Sequence, residues 1–559
     1  MRRREHGTRD RHSISDHRET WLFGEPDRAR RRRRRDAVSV ALCYPSSYSL
    51  GMSNLGFQTV LGLLLAEPDV VCERAFHEHG SPAAGRSLET GTPLSEFDVV
   101  AFSVSFEDDF RNLVAVLDAG GIPLRASERS DDDPLIVMGG VCAYLNAEPV
   151  AAFMDAVLVG EGEALVAPLI EKVRDSRSLP RAERLRLLAS LDGAYVPSLY
   201  DVERNADGGI VGFRADADAP LPVRAATGPS RMAASVVLSD GAFFSDMLLL
   251  ETSRGCARGC RFCAAGSVLT PRVWRPAEEV LGAMEAAASQ TSRVGLVTAA
   301  LLDHPEATEI LEGALRLGVE LNISSLRADA ITAEVARLLC ACGVRTVTVA
   351  PETGAEDLRR AIGKPMSDAA LLSAVRTMAD GGLRTLKLYF MVGLPGERDR
   401  DIEAIPELAR AVRSCFVEGR TGARVSVSVS AFVPKPRTPF QWLPMADEGY
   451  IRRRMSFLRK AFVRRPRMEF SGTGAREARR EGVLARGGRE LSEAIRLAAV
   501  EGVPWKAALR RSGVDADAII GRERADGEVF PWEVVDVGPP REKLLASLAV
   551  ARRLLDERA

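Results

Sequence analysis

The chain has 559 residues, of which 46% are apolar and 27% charged, with 76 Lys and Arg set against 77 Asp and Glu. That composition suits a folded protein of about three to four domains at ~150 residues each, and it excludes a disordered chain, a disulfide-stapled miniprotein and a collagen-like repeat. A net charge of −1 gives no overall attraction to nucleic acid or to an anionic membrane.

No apolar run approaches the ~18–20 residues of a membrane helix. The Arg-rich start lacks the apolar stretch of a secretory signal. Nine cysteines without framework spacing fit a reducing compartment, so a cytoplasmic location away from membranes is expected.

Residues 1–36, which include the run Arg30–Arg35, read as a disordered Arg-rich tail. A nucleic-acid arm is the functional alternative. Basic residues throughout are mostly arginine, which weakens that alternative.

From residue 37 to 170, short apolar runs alternate with helical patterns. Strands are expected at 37–44, 70–76, 97–106, 135–140 and 156–163, with helices at 52–67 and 109–121. This alternation predicts an α/β domain with a parallel sheet covered on both faces. Ligands bind at the carboxyl edge of such sheets. There the candidate residues are Ser103, Ser105, Gly139, Gly140, Gly160 and Gly162. Glycines in such places permit close backbone approach but equally serve ordinary turns.

Residues 171–245 read as a connector with a few short strands. A second alternating series occupies 246–445, with strands at 246–252, 293–300, 319–326, 344–352, 385–393 and 425–433. Six strands, each followed by a helix, predict a (β/α)6 partial TIM barrel whose chemistry lies on the loops after the strands. Residues 446–559 read as a mainly helical C-terminal region.

The loop after the first barrel strand, ETSRGCARGCRFCAAG, carries Cys256, Cys260 and Cys263 in a C-x3-C-x2-C arrangement. Three thiolates can ligate three irons of a [4Fe–4S] cluster, leaving the fourth iron for an outside ligand. Arg254, Arg258 and Arg261 surround the thiols, and positive charge favours thiolate. Structural zinc wants four ligands, and no His or fourth Cys lies near in sequence.

With Phe262 before the third cysteine, this loop resembles the signature of the radical S-adenosylmethionine (SAM) superfamily. The resemblance implies that the amino and carboxylate groups of SAM chelate the open iron. One-electron reduction then yields a 5′-deoxyadenosyl radical that abstracts hydrogen from substrate. It also implies cofactor contacts from Ser325 and Arg327 after the third barrel strand. Glu352 and Gly354 would contribute after the fourth strand, and Gly393 and Pro395 after the fifth. The second strand lacks the superfamily's usual glycine–glutamate pair, so Thr298 is the nearest polar candidate there. A small flavodoxin- or ferredoxin-type reductant is the implied partner.

The segments YPSSYSLGMSNLGFQTV, FDVVAFSVSFEDDF, MGGVCAYLNAEP, KLYFMVGLPGE and AFVPKPRTPFQW are similar to a family of B12-binding-domain radical proteins. That family implies a flavodoxin- or Rossmann-like cobalamin-binding-type N-terminal domain and a cobalamin-linked methyl transfer to a substrate the resemblance does not supply. The D-x-H-x-x-G pattern of a lower axial histidine is absent. Two alternatives stand beside it. One is a cobalamin-free enzyme such as a methylthiotransferase acting on RNA or protein, with Cys43, Cys72 and Cys142 on a second cluster. The other is a non-catalytic iron–sulfur or corrinoid-binding module.

Overall fold

The computed structural model describes residues 17–22, 37–78, 84–417, 422–463 and 467–558. Strand β1 (Glu19–Trp21) falls inside the predicted tail and pairs antiparallel with a strand in the connector, Val237–Ser239. This corrects the tail expectation at 17–22. Buried Arg74 reaches Glu19 at 2.8 Å and Glu89 at 2.7 Å, and its guanidinium lies over the Trp21 ring. An ion pair this buried holds a segment firmly, because removing one partner strands the other charge. The arginine run 30–35 lies outside the described residues.

The N-terminal sheet is built from β2 (Val38–Tyr44), β3 (Val70–Phe76), β4 (Val99–Ser103), β5 (Leu135–Gly139), β6 (Ala156–Leu158) and β7 (Ala194–Tyr195). The spatial order is β3-β2-β4-β5-β6-β7, parallel except for β7. The first five strands therefore have the doubly wound flavodoxin order, with its switch point between β2 and β4. Strand β7 lies in the stretch read as connector, and α3 (Gly162–Asp175) runs past residue 170. Helix α1 (Leu55–Ala66) and α3 cover one face of the sheet, and α2 (Asp109–Ala119) the other.

The barrel strands are β8 (Leu248–Glu251), β9 (Arg293–Val297), β10 (Glu320–Ile323), β11 (Thr346–Glu352), β12 (Thr385–Val392) and β13 (Arg424–Ala431). All six fall where the alternation predicts them. A seventh, β14 (Met468–Gly472), pairs parallel to β13 and extends the barrel beyond residue 445. Among the described residues the partial barrel is thus seven-stranded, in runs of three and four joined by a bridge between Ser325 and Thr348.

On β11–β14 the side chains alternate. Val347, Leu388 and Val427 are buried, whereas Lys387 and Glu469 are exposed and Thr348 and Ser426 half-buried. Thr348, Lys387, Ser426 and Glu469 stand side by side in register, as do Tyr389, Ser428 and Ser471. One face of this sheet is therefore a hydrophilic surface rather than a packed barrel interior.

Candidate active site

The loop 255–272 leaves β8 through a two-residue ribbon in which Ser253 and Arg254 pair with Trp274 and Val273. Gly255 makes the turn into the first cysteine at φ +81°, where a Cβ would lie 2.1 Å from the Leu269 carbonyl oxygen. Only glycine fits that combination.

Cys256, Cys260 and Cys263 line one cavity of about 500 Å³ at the barrel mouth. Phe262, Ser325, Arg327 and Glu352, all candidates from the sequence, line it as well. Burial pushes the Cys260 thiol up to about 11, with Lys364 pulling it down. Burial also raises Cys263, opposed by the backbone N–H groups of Ala265 and Gly266. Metal ligation by these groups therefore releases protons. Among the described residues no three His, Cys, Asp or Glu side chains converge on one metal ion. A cuboidal cluster asks for something else, one thiolate per iron.

The loop arginines place their side-chain hydrogen bonds away from the thiols, although Arg258 lines the same cavity. Arg254 is held by three carboxylates, Nε of Arg258 donates to Asp303 at 2.7 Å, and Arg261 donates to the carbonyls of Ala361 (2.8 Å) and Ser547 (3.0 Å). The Ser547 contact brings the C-terminal helix Arg541–Asp556 against the back of the loop. Of the cations acting on the Cys260 thiol, Lys364 acts more strongly than Arg327, and its Nζ lies 2.7 Å from Glu352 on the cavity wall. Glu352 itself sits at φ +70°, a costly conformation for a non-glycine residue and one that clusters at functional sites. Fully buried Arg359 donates to the carbonyls of Thr353 (3.1 Å) and Gly354 (3.0 Å) and fixes that turn.

Four expected cofactor contacts do not line this cavity. The Thr298 hydroxyl is paired with that of Ser253 at 2.7 Å, and Ala299 and Ala300 line the wall instead. Gly354 is where a helix packs closely, since a Cβ there would lie 2.6 Å from the Ile405 nitrogen. The Gly393 N–H donates to the Glu397 carboxylate at 3.0 Å, and Pro395 lies in that same turn. From this strand Tyr389, Phe390 and Met391 reach the cavity instead. Sequence reasoning missed Lys364, Tyr389, Met391, Ser428 and Ser430. The alternation in VSVSVSA signalled the two serines, whereas Lys364 lies in a helix-to-helix turn with no pattern to mark it.

A second cavity, of about 760 Å³, opens at the carboxyl edge of the N-terminal sheet. Ser103, Ser105, Gly139, Gly140, Gly160 and Gly162 all line it. Gly140 and Gly160 are demanded by protein backbone, at Val104 and Ala226 respectively, whereas a Cβ on Gly139 would meet nothing nearer than 3.8 Å. The cavity continues as an apolar slot between the sheet, at Leu42, Val99 and Val137, and helices α1 and α3, at Leu64 and Val166. Glu161, Glu163, Glu251 and Arg254 form its far wall, together with Thr270 and Val273 of the cysteine loop.

Cys43 and Cys142 belong to the core on one face of the sheet and Cys72 to the core on the other. Burial raises all three thiols. They do not face a common point, which removes the basis for a second cluster.

Three thiols on one barrel-edge loop over a cofactor-sized cavity define a class: a partial-barrel protein built to hold a thiolate-ligated cofactor. The profile described as "Radical SAM superfamily" matches residues 250–409, and that described as "Radical SAM proteins, N-terminal" matches residues 56–197. The chain belongs to the radical SAM superfamily and is a radical SAM enzyme. It is 26% identical over 407 residues to an uncharacterized protein of Methanocaldococcus jannaschii, covering 72% of this chain and 79% of that one. A protein of Methanopyrus kandleri is 29% identical over 212 residues, covering 35% and 39%.

Among solved structures, the cobalamin-dependent SAM radical enzyme OxsB with aqua-cobalamin and SAM bound superposes with a TM-score of 0.47 at 13% identity, over 94% of this chain and 80% of that one. With aqua-cobalamin alone, the figures are 0.43 and 13%, over 67% and 52%. Streptococcus suis SuiB with SAM bound gives 0.31 at 14%, over 41% and 51%. Among the described residues no helix is long and apolar enough to cross a membrane.

Proposed function

We propose that this radical SAM enzyme seats a corrinoid at the carboxyl edge of its N-terminal sheet and transfers a methyl group to a hydrophilic substrate held in the barrel. One observation carries the corrinoid: the sheet-edge cavity lies at the switch point of the doubly wound sheet, the place where such folds bind cofactors, and shares the cysteine loop as a wall with the barrel cavity. A broad macrocycle suits the cavity mouth beside Gly139, and the flat aromatic base of a corrinoid's tail suits the apolar slot between sheet and helices. Among the described residues no His lines this cavity, so the corrinoid would take no histidine ligand from them.

Cys256, Cys260 and Cys263 would hold three irons of a [4Fe–4S] cluster, which supplies one-electron cleavage of the SAM sulfonium when both are bound. Ser325 and Arg327 offer a hydroxyl and a guanidinium to the polar groups of SAM. Phe262 and Met391 give the cavity part of its apolar wall. The Lys364 ammonium holds the buried Glu352 carboxylate at a fixed place on the cavity wall. The hydroxyls of Ser428 and Ser430 lead from the cavity onto the hydrophilic face of the barrel sheet, which supports a hydrogen-bonding substrate over a lipid. A flavodoxin- or ferredoxin-type donor in a reducing cytoplasm belongs to the same proposal.

The test begins with anaerobic reconstitution. Wild-type protein reduced in the presence of SAM should release 5′-deoxyadenosine, and Cys260→Ala should release none. Incubation with hydroxocobalamin and gel filtration should leave a corrinoid absorption spectrum on wild type. Gly139→Leu, which fills the cavity, should lose that spectrum while keeping its iron. A wild-type protein that stays colourless ends the methyl-transfer proposal, and iron loading without SAM cleavage ends the enzymatic one.

A further inference from the structure

The cysteine loop separates two cavities, and its first anchor belongs to both sides. Arg254 lies two residues before Cys256 and lines the sheet-edge cavity, whereas Cys256 lines the barrel cavity. The Arg254 Nε donates to Glu251 at 2.7 Å, one terminal nitrogen reaches Glu163 at 2.9 Å, and the other reaches Glu161 at 3.1 Å. Glu251 ends the first barrel strand. Glu161 and Glu163 stand at the end of the N-terminal sheet and in the first turn of α3.

The other end of the loop is tied to the same carboxylate. Arg275, one residue past the ribbon, donates to Glu251 at 3.0 Å through Nε and holds the connector carbonyls of Ser230 (2.9 Å) and Arg231 (2.7 Å). The network thus contains three carboxylates and two guanidiniums. It is mostly buried, with side-chain exposures of 16% for Arg254, 9% for Glu251, 6% for Glu163 and 4% for Arg275.

We propose that Arg254 is a positioning residue that fastens the cluster-binding loop to the N-terminal domain, so that occupancy of the sheet-edge cavity and the placement of the three thiolates are coupled. The fastening follows from geometry. A guanidinium presents a rigid fork to several carboxylates at once, and the Gly255 turn transmits its position to Cys256 with a single intervening residue. The coupling follows from charge. Without Arg254, three close carboxylates face one guanidinium, and relief comes from moving Glu161 and Glu163, which wall the other cavity. Binding linkage then requires each site to alter the other's affinity by the same factor. The fastening stands independently of any corrinoid, whereas the coupling rests on the proposed corrinoid site.

The experiment uses the full chain, reconstituted anaerobically, as wild type, Arg254→Gln, Arg254→Lys and Glu161→Gln. Iron loss to a chelator is followed by absorbance, and the reduced cluster by electron paramagnetic resonance with and without SAM. Hydroxocobalamin affinity is measured on cluster-loaded and cluster-free protein. Arg254→Gln should shed iron about tenfold faster, the factor carried by one lost charge-assisted hydrogen bond, and should change the resonance seen with SAM. Arg254→Lys should behave similarly, and Glu161→Gln should fall between it and wild type. In wild type the two hydroxocobalamin affinities should differ, and in Arg254→Gln they should converge.

Iron retention and resonance unchanged in Arg254→Gln overturn the fastening. If that variant does not fold, unchanged behaviour of Glu161→Gln overturns it instead. Equal hydroxocobalamin affinities in loaded and cluster-free wild type overturn the coupling alone. No hydroxocobalamin binding at all removes the corrinoid site and the coupling with it, leaving the fastening to be judged on iron.

Discussion

Two glycines of the cysteine loop look equivalent in sequence and differ sharply in structure. At Gly255 a Cβ would lie 2.1 Å from the Leu269 carbonyl oxygen, so backbone must separate by about 0.9 Å to reach even 3.0 Å. Its φ of +81° adds about 1–2 kcal/mol for any L-residue. Arg254, on one side, is held by three carboxylates, so the displacement falls on Cys256. Gly255→Ala should therefore weaken cluster binding by about 10–100-fold, the range seen when groups supporting metal ligands are disturbed. Gly259 lies outside the left-handed region and a Cβ there meets nothing within 4 Å. Gly259→Ala should bind the cluster as wild type does and gain about 0.4–1 kcal/mol through a less flexible unfolded chain. Chelator competition on reconstituted protein, with thermal melts alongside, measures both effects. If Gly255→Ala keeps its iron as well as Gly259→Ala, the steric reasoning about this loop is wrong.

Two further outcomes follow from buried charge. Lys364→Met leaves the Glu352 carboxylate buried without its partner and should cost about 3–5 kcal/mol in chemical denaturation. It should also weaken SAM binding in equilibrium dialysis, and Lys364→Arg should restore part of both. Asp109 is pushed up to about 7 by burial and by Asp108, and one of its oxygens is buried without a hydrogen-bond partner. A carboxyl raised in the folded state keeps its proton while the unfolded chain loses it, so stability falls as pH climbs from about 4 to about 7, by up to ~1.4 kcal/mol per unit. Asp109→Asn should remove that decline, its advantage over wild type growing with pH and levelling off above pH 7. A wild-type-minus-variant difference that stays flat from pH 5 to pH 8 would contradict this assignment.

The parts of the fold legible in the sequence are those fixed by local pattern. The strand positions follow from runs such as VSVALCY and VSVSVSA, and C-x3-C-x2-C states its own chemistry. The edge serines and glycines were legible because a doubly wound sheet binds ligands at its carboxyl ends, and all six candidates line one cavity. What escaped depends on contacts between distant segments. Strand β1 has three residues and exists because Val237–Ser239 and Arg74 receive it. Strand β14 follows a charged helix and is fixed by its register on β13. The arginines of the cysteine loop have side chains long enough to reach past the thiols, and their partners lie up to nearly 300 residues away, as Ser547 does from Arg261. Thr298 and Gly393 sit at strand ends as expected, yet a neighbouring hydroxyl and a carboxylate occupy their polar groups.

The placement of the two cavities bears on how radical chemistry is kept in order. Both the N-terminal sheet and the barrel direct their carboxyl edges, where ligands bind, at the same loop, residues 255–272. The hydrophilic face formed by Thr348, Lys387, Ser426 and Glu469 leads to the barrel cavity from below, and Tyr389 and Ser428 continue it to the rim. Under the proposed function, a substrate approaching along it would be oriented by hydrogen bonds before it meets the thiol-lined end. Making that face apolar, as in Ser428→Val with Ser430→Val, should leave substrate-independent SAM cleavage intact, because neither hydroxyl is a cluster ligand. Orientation and radical generation are thereby assigned to different strands of the same barrel.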